Sequence, residues 1–138
     1  MTLRHRAPFV LLALCTIAIG LLVHARGAAL GPVTRDVIGD ALWAAMMLWW
    51  ISAVAPNASL ASRCVVAGVV CVAVELSQLI HMPALDAARA TRLGHLVLGS
   101  GFDPRDFAAY AFGVISAALL ERTVISRNSG RPPLSPGP

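Results

Sequence analysis

The chain has no lysine and little charge of any kind: eleven arginines, seven acids and 13% charged residues in 138. Soluble domains carry about a quarter charged residues, so this shortage excludes an ordinary water-facing surface. The eleven arginines are scattered between apolar runs and form no basic stripe, which argues against a nucleic-acid partner despite a net charge of +4. Chemical motifs are equally scarce. No HExxH is present, His81 and His95 fit no standard metal spacing, and GHLVLGSG lacks the Lys-Ser/Thr of a phosphate loop. Ser100 lacks the flanks of a nucleophile elbow, so no metal and no cofactor is expected. Cys15, Cys64 and Cys71 all fall in apolar runs. Cys64 and Cys71 would lie about 10 Å apart along one helix, beyond disulfide reach, and read as small packing residues.

What is there is hydrophobic sequence: 57% of the chain, with a mean hydropathy of +0.73. Its length admits a few spans of about 20 residues and no soluble domain beside them. The expectation is an all-α, small polytopic transmembrane bundle of about four spans, occupying residues 1–122. The first span is APFVLLALCTIAIGLLV, 7–23. It also resembles a secretory signal with a cleavage site at Val23-His24-Ala25, although its uncharged stretch is long for one. Span two covers 37–55, with Asp40 about a turn inside and Trp49 and Trp50 placed for an interfacial belt. A connector, PNASLASR, leads to span three at 64–82, and span four covers 106–121. Between them, 83–105 is too long for a plain turn. LDAARATRL has helix-forming composition, and GHLVLGSGF suits the interface or a dip into the membrane. Residues 123–138, rich in Pro, Gly, Ser and Arg, read as a disordered tail.

Four spans put both termini on one side, with Arg4, Arg6, Arg63, Arg122, Arg127 and Arg131. The other side has Arg26 and Arg35 besides the three arginines of the long loop. With those three assigned to another task, both termini are expected in the cytoplasm.

Connectivity then makes a stronger point. Asp40, Glu75, Gln78, His81 and Asp106 all lie toward one leaflet, and Arg89 and Arg92 sit in the loop over it. Cys71 and Gly68 share the face of Glu75; Asp106, Tyr110, Gly113 and Ala117 share a stripe, as do Asp40, Ala44 and Met47. An acid at a helix centre costs about 2.5 to 3.5 kcal/mol on the insertion scale, so such groups turn inward toward partners. Glu75 is six residues before His81, about 9 Å below the expected helix end. Two readings stay open. Glu75 pairs with Arg89 or Arg92 and pins the loop as a lid, or Arg89 and Arg92 bind an anionic group beside Glu75 as proton acceptor, with His81 next to it.

GDALWA at 39–44, VELSQL at 74–79, LDAARATRLGHLVLGSGF at 85–102 and DFAAYAFG at 106–113 resemble the uncharacterised bacterial membrane family DUF2809, over about 37–118. More distantly, Glu75 with Gln78 is similar to the Glu-x-x-Gln of VanZ-like membrane proteins. Asp106 with Gly113 is similar to their later Asp-x-x-x-Asn-x-x-Gly, with Tyr110 in place of the asparagine. The resemblance implies a small bundle in the bacterial inner membrane and carries no assigned reaction.

The expected function is therefore binding of an anionic lipid or cell-envelope headgroup at a polar pocket near the outer leaflet. Its residues would be Asp40, Glu75, Gln78, Arg89, Arg92, Asp106 and Tyr110, and Glu75 and His81 are the candidates for any chemistry. The alternatives are a structural or assembly protein whose Glu, Asp and Arg form an internal ion-pair network, and a small transporter, which would need oligomerisation because the polar groups occupy one side only.

Overall fold

A computed structural model describes residues 6–99 and 101–129, with the backbone alone for Ala28, Arg92, Leu96 and 124–129. Six α-helices follow one another: α1 Ala7–Arg26, α2 Pro32–Val54, α3 Leu60–Ser77, α4 Pro83–Arg89, α5 Arg92–Leu98 and α6 Asp106–Ser129. A short 3-10 turn, Gly27–Leu30, joins α1 to α2, and no strand occurs among the described residues.

The boundaries follow local chemistry. Pro8 and Pro32 sit in the first turns of α1 and α2, where their missing N–H costs nothing. Ser59 accepts from Ser62 N–H at 3.1 Å and so starts α3 four residues ahead of the expected 64. Pro83 opens α4. LDAARATRL is not one helix, because Thr91 leaves helical geometry and caps a new one, accepting from Gly94 N–H at 2.9 Å. The α2 helix begins at Pro32, so Asp40 lies about two turns inside it rather than one. The α6 helix continues to Ser129, through the first part of the segment expected as a tail; 130–138 lie outside the described residues.

Three helices, α1, α2 and α3, are long and apolar enough to cross a membrane. The α6 helix packs along α2 and α3 as their partner. Phe9, Ser52, Arg63 and Glu121 meet at one end of the bundle, and Glu75 meets Tyr110 at the other. Consecutive helices therefore run antiparallel, while α2 and α6 run parallel. The core between them is made of small residues around a few large ones: Ala13, Ala44, Ala67, Cys71 and Ala117 against Leu48 and Trp49. Small side chains let helix backbones come close, the usual basis of helix association in lipid. Between α2 and α6 the backbones meet at Gly113, where a Cβ would land on the Ala41 carbonyl. The inward stripes of Asp106, Tyr110, Gly113 and Ala117 and of Asp40 with Ala44 are as the spacing implied. Trp49, expected in an interfacial belt, is instead 2% exposed, because its position on α2 faces the other helices. Large apolar side chains that remain exposed, such as Leu11, Val65, Val69, Phe112 and Ile115, supply a surface suited to lipid.

Candidate functional site

The segment VELSQLIH straddles a helix end. The α3 helix stops at Ser77 with Gln78 as its cap, so His81 is outside it and Glu75 lies in its last turn, not 9 Å below its end. Glu75 is nevertheless 0% exposed, because the chain folds back over it. Its carboxylate accepts three hydrogen bonds: Tyr110 Oη at 2.9 Å, Gln78 Nε2 at 3.0 Å and the Asp103 backbone N–H at 2.8 Å. The donors come from α6, from the end of α3 itself and from the loop before α6, so one side chain ties all three together. Tyr110 in turn packs against Trp43 of α2, with ring centroids 5.9 Å apart.

The expected ion pair from Glu75 to Arg89 is not formed. Arg89 is buried, but its guanidinium donates to the backbone carbonyls of Ser77 at 2.6 Å and Ile80 at 2.9 Å, and to Asp86 Oδ1 at 3.4 Å. The last carbonyls of any helix lack intrahelical partners, and a cation near them also meets the negative end of the helix dipole. That need outcompetes Glu75, whose oxygens are already taken by neutral donors. Arg92 opens α5, and its side chain lies outside the described residues. His81 is turned out, with 81% of its side chain exposed, and its one ionic neighbour is Asp86 at 3.8 Å. It is therefore not beside Glu75.

Asp40 and Asp106, the other two acids expected here, do come together: their carboxyls lie within hydrogen-bonding reach, close enough to Glu75 to feel its charge. Both remain partly exposed. The rim beside them carries Asp103 and Arg105, paired at 2.6 Å. Arg105 lowers the Asp103 pKa below the usual carboxylate range, mainly through that hydrogen bond. Gly99, at φ +69°, closes the lid against Gln78, because any Cβ there would strike the amide. Among buried polar atoms here, Trp43 Nε1, Gln78 Oε1 and Arg89 Nε have no hydrogen-bond partner.

The chain matches the family model described as "Protein of unknown function (DUF2809)" over residues 30–114. It belongs to that family. The matched stretch runs from just before α2 into α6 and contains every residue of this DUF2809 member named at the acid-bearing end. No solved structure matches the chain.

The opposite end of the bundle holds a second polar cluster. Arg63, counted above as a flanking charge, is 6% exposed and forms a two-pronged pair with Glu121, at 2.6 and 3.1 Å. It also donates to Ser52 Oγ at 2.6 Å and to the Ala58 carbonyl at 3.2 Å, and lies 5.6 Å above the Phe9 ring. The signal for it was present: a basic residue at the start of α3 and an acid near the end of α6 must share a membrane side. Charges at span ends normally read as flanks, and that concealed the pair.

Proposed function

We propose that this DUF2809 protein is an integral membrane protein that binds the headgroup of an anionic lipid or envelope precursor at its acid-bearing end. The observation that carries this reading is the Asp40–Asp106 pair, brought together near Glu75 yet still partly open. Unused polar capacity beside it supports the same view, since Trp43 Nε1 and Gln78 Oε1 are a buried donor and acceptor without partners, and such groups normally find a water or ligand. In this reading the carboxyls of Asp40 and Asp106 take hydroxyl or amine donors of the headgroup. Arg105, on the rim beside them, meets its phosphate. Arg89 is withdrawn from direct contact, because capping α3 occupies both terminal nitrogens of its guanidinium. Glu75, Gln78 and Tyr110 position the lid rather than touch the ligand. Lipid co-purification tests this: Asp40→Asn with Asp106→Asn should alter the bound-lipid profile seen by native mass spectrometry. An unchanged profile in a protein that still melts normally removes the proposal.

The membrane is proposed to be the bacterial plasma membrane, with both termini cytoplasmic and the acid-bearing end at the outer leaflet. Arg63 no longer counts as a flanking charge, but Arg4, Arg6, Arg122, Arg127 and Arg131 still outnumber Arg26 and Arg35. A reporter-fusion topology map that puts 83–105 in the cytoplasm would reverse this orientation.

A second reading, an internal network that only stabilises the bundle, is favoured by the complete burial of Glu75 and its bond to the Asp103 backbone. It expects Glu75→Gln to lower the melting temperature with no change in bound lipid.

A further inference from the structure

The lipid-facing surface of α3 does not stop where the helix does. Val65, Val69, Val72 and Leu76 are exposed at spacings of four, three and four residues, which place them on one stripe. Leu79 and Ile80, also exposed, follow Leu76 by three and four residues and prolong that stripe into the turn. Bonds from Leu79 N–H to the Leu76 carbonyl at 3.1 Å and from Ile80 N–H to the Ser77 carbonyl at 3.0 Å keep them in register. Arg89 then clamps α4 to the carbonyls of Ser77 and Ile80. Met82 is exposed, and beyond it Leu93, at 77%, and Val97 stand four apart on one face of α5. His95, also exposed, is on the opposite face. A loop in water does not leave a run of large aliphatic side chains uncovered and continuous with a membrane-facing stripe.

We propose that the α4–α5 lid lies in the bilayer as an interfacial element, in the boundary between headgroups and acyl chains of one leaflet. Leu79, Ile80, Met82, Leu93 and Val97 enter the acyl side, and His95 faces the headgroups and water. The partner is the lipid surface itself. The apolar stripe of α3 runs on through Leu76 to Leu79 and Ile80 at the foot of the lid, so the lipid that covers its valines reaches the lid as well. Short helices with one apolar face bind at this depth, with the apolar side buried about 5–10 Å. The inference rests on the membrane placement of α1, α2 and α3 and is independent of headgroup binding, so either can fail alone.

The test uses single cysteines, Leu93→Cys, Val97→Cys and His95→Cys, in a chain lacking Cys15 and Cys64. Cys71 can remain because it is wholly buried. Each is labelled with the fluorophore NBD in phosphatidylethanolamine–phosphatidylglycerol nanodiscs, where both faces are open to solution. The labels at 93 and 97 should be quenched by a lipid carrying a shallow doxyl group, and dithionite should reduce the label at 95 about tenfold faster than either. Equal dithionite rates at 93 and 95 without doxyl quenching would place the lid in water and overturn the proposal. Labels at 93 and 97 shielded from both dithionite and doxyl lipid would also overturn it, because a second copy of the chain would then cover the lid. All three positions are exposed, so the variants do not disturb the core. A melting curve matching that of the parent chain checks this.

Discussion

At the end of the bundle where α3 begins, Arg63 and Glu121 close on each other and leave no charge unmatched. At the end where α3 finishes, Glu75, Asp40 and Asp106 bring acid together with no guanidinium on Glu75, and the nearest buried arginine is spent on backbone carbonyls. Both ends pin helices together, but by opposite means. A matched ion pair uses up its own donors and acceptors, and the cleft beside it, lined by Trp50, Ile51, Val54 and Val66, is apolar. A carboxyl held by a phenol, an amide and a peptide N–H is met by neutral donors alone, and beside it the second acid pair is still partly open. That contrast is why the acid-bearing end is the candidate site and the Arg63 end is a staple.

The largest test of the contrast is at the staple. Glu121→Ala leaves Arg63 buried without its counter-charge and should cost about 3–5 kcal/mol, seen as a lower melting temperature in detergent. Replacing both partners, Arg63→Met with Glu121→Leu, should recover most of the loss, because neither group is then left unpaired. A harmless single substitution would mean that this end is not held by the pair. At the other end, Arg89→Met frees the carbonyls of Ser77 and Ile80 and should cost about 1–3 kcal/mol locally. Hydrogen exchange across 79–99 should quicken while the amides of α1 and α2 keep their protection. Tyr110→Phe removes one of three donors from Glu75 and should cost about 1 kcal/mol in thermal unfolding, less than the Arg89 variant. The smallest effect is at the exposed rim. Arg105 lowers the Asp103 pKa, so this pair contributes only above the ordinary carboxylate range and loses its contribution as pH falls through the lowered value. Arg105→Gln should move the Asp103 titration, followed by NMR, back up toward that range, and added salt should shrink the difference because the pair faces solvent.

Much of this arrangement was legible in the residues. Composition and apolar runs yield an all-α bundle, and the three- and four-residue spacing of Asp106, Tyr110, Gly113 and Ala117 points the right face inward. Connectivity alone collects Asp40, Glu75 and Asp106 at one end. The end of α3 was not legible, because Leu79 and Ile80 extend its apolar pattern past the point where its hydrogen bonding stops. An apolar lid and an apolar helix look alike to hydropathy. The choice of partner for Arg89 was not legible either, since helix-end carbonyls carry no sequence mark; only the folded turn shows the guanidinium taken by the Ile80 carbonyl and by the Ser77 carbonyl, which also accepts from Ile80 N–H.

The close approach at Gly113 has a consequence for how the molecule is built. Glu121 for Arg63, Tyr110 for Glu75 and Asp106 for Asp40 are all carried by α6. During synthesis α2 and α3 enter the bilayer before α6 exists, each with a polar group whose partner has not been made. Polar side chains in hydrocarbon are costly until matched, so the half-built chain is an unstable and recognisable species. Docking of α6, guided into place where Gly113 lets its backbone meet that of Ala41, satisfies both ends in one step. A chain interrupted before that step leaves its acid and arginine unmatched, so completion of the bundle depends on the same contacts that hold it.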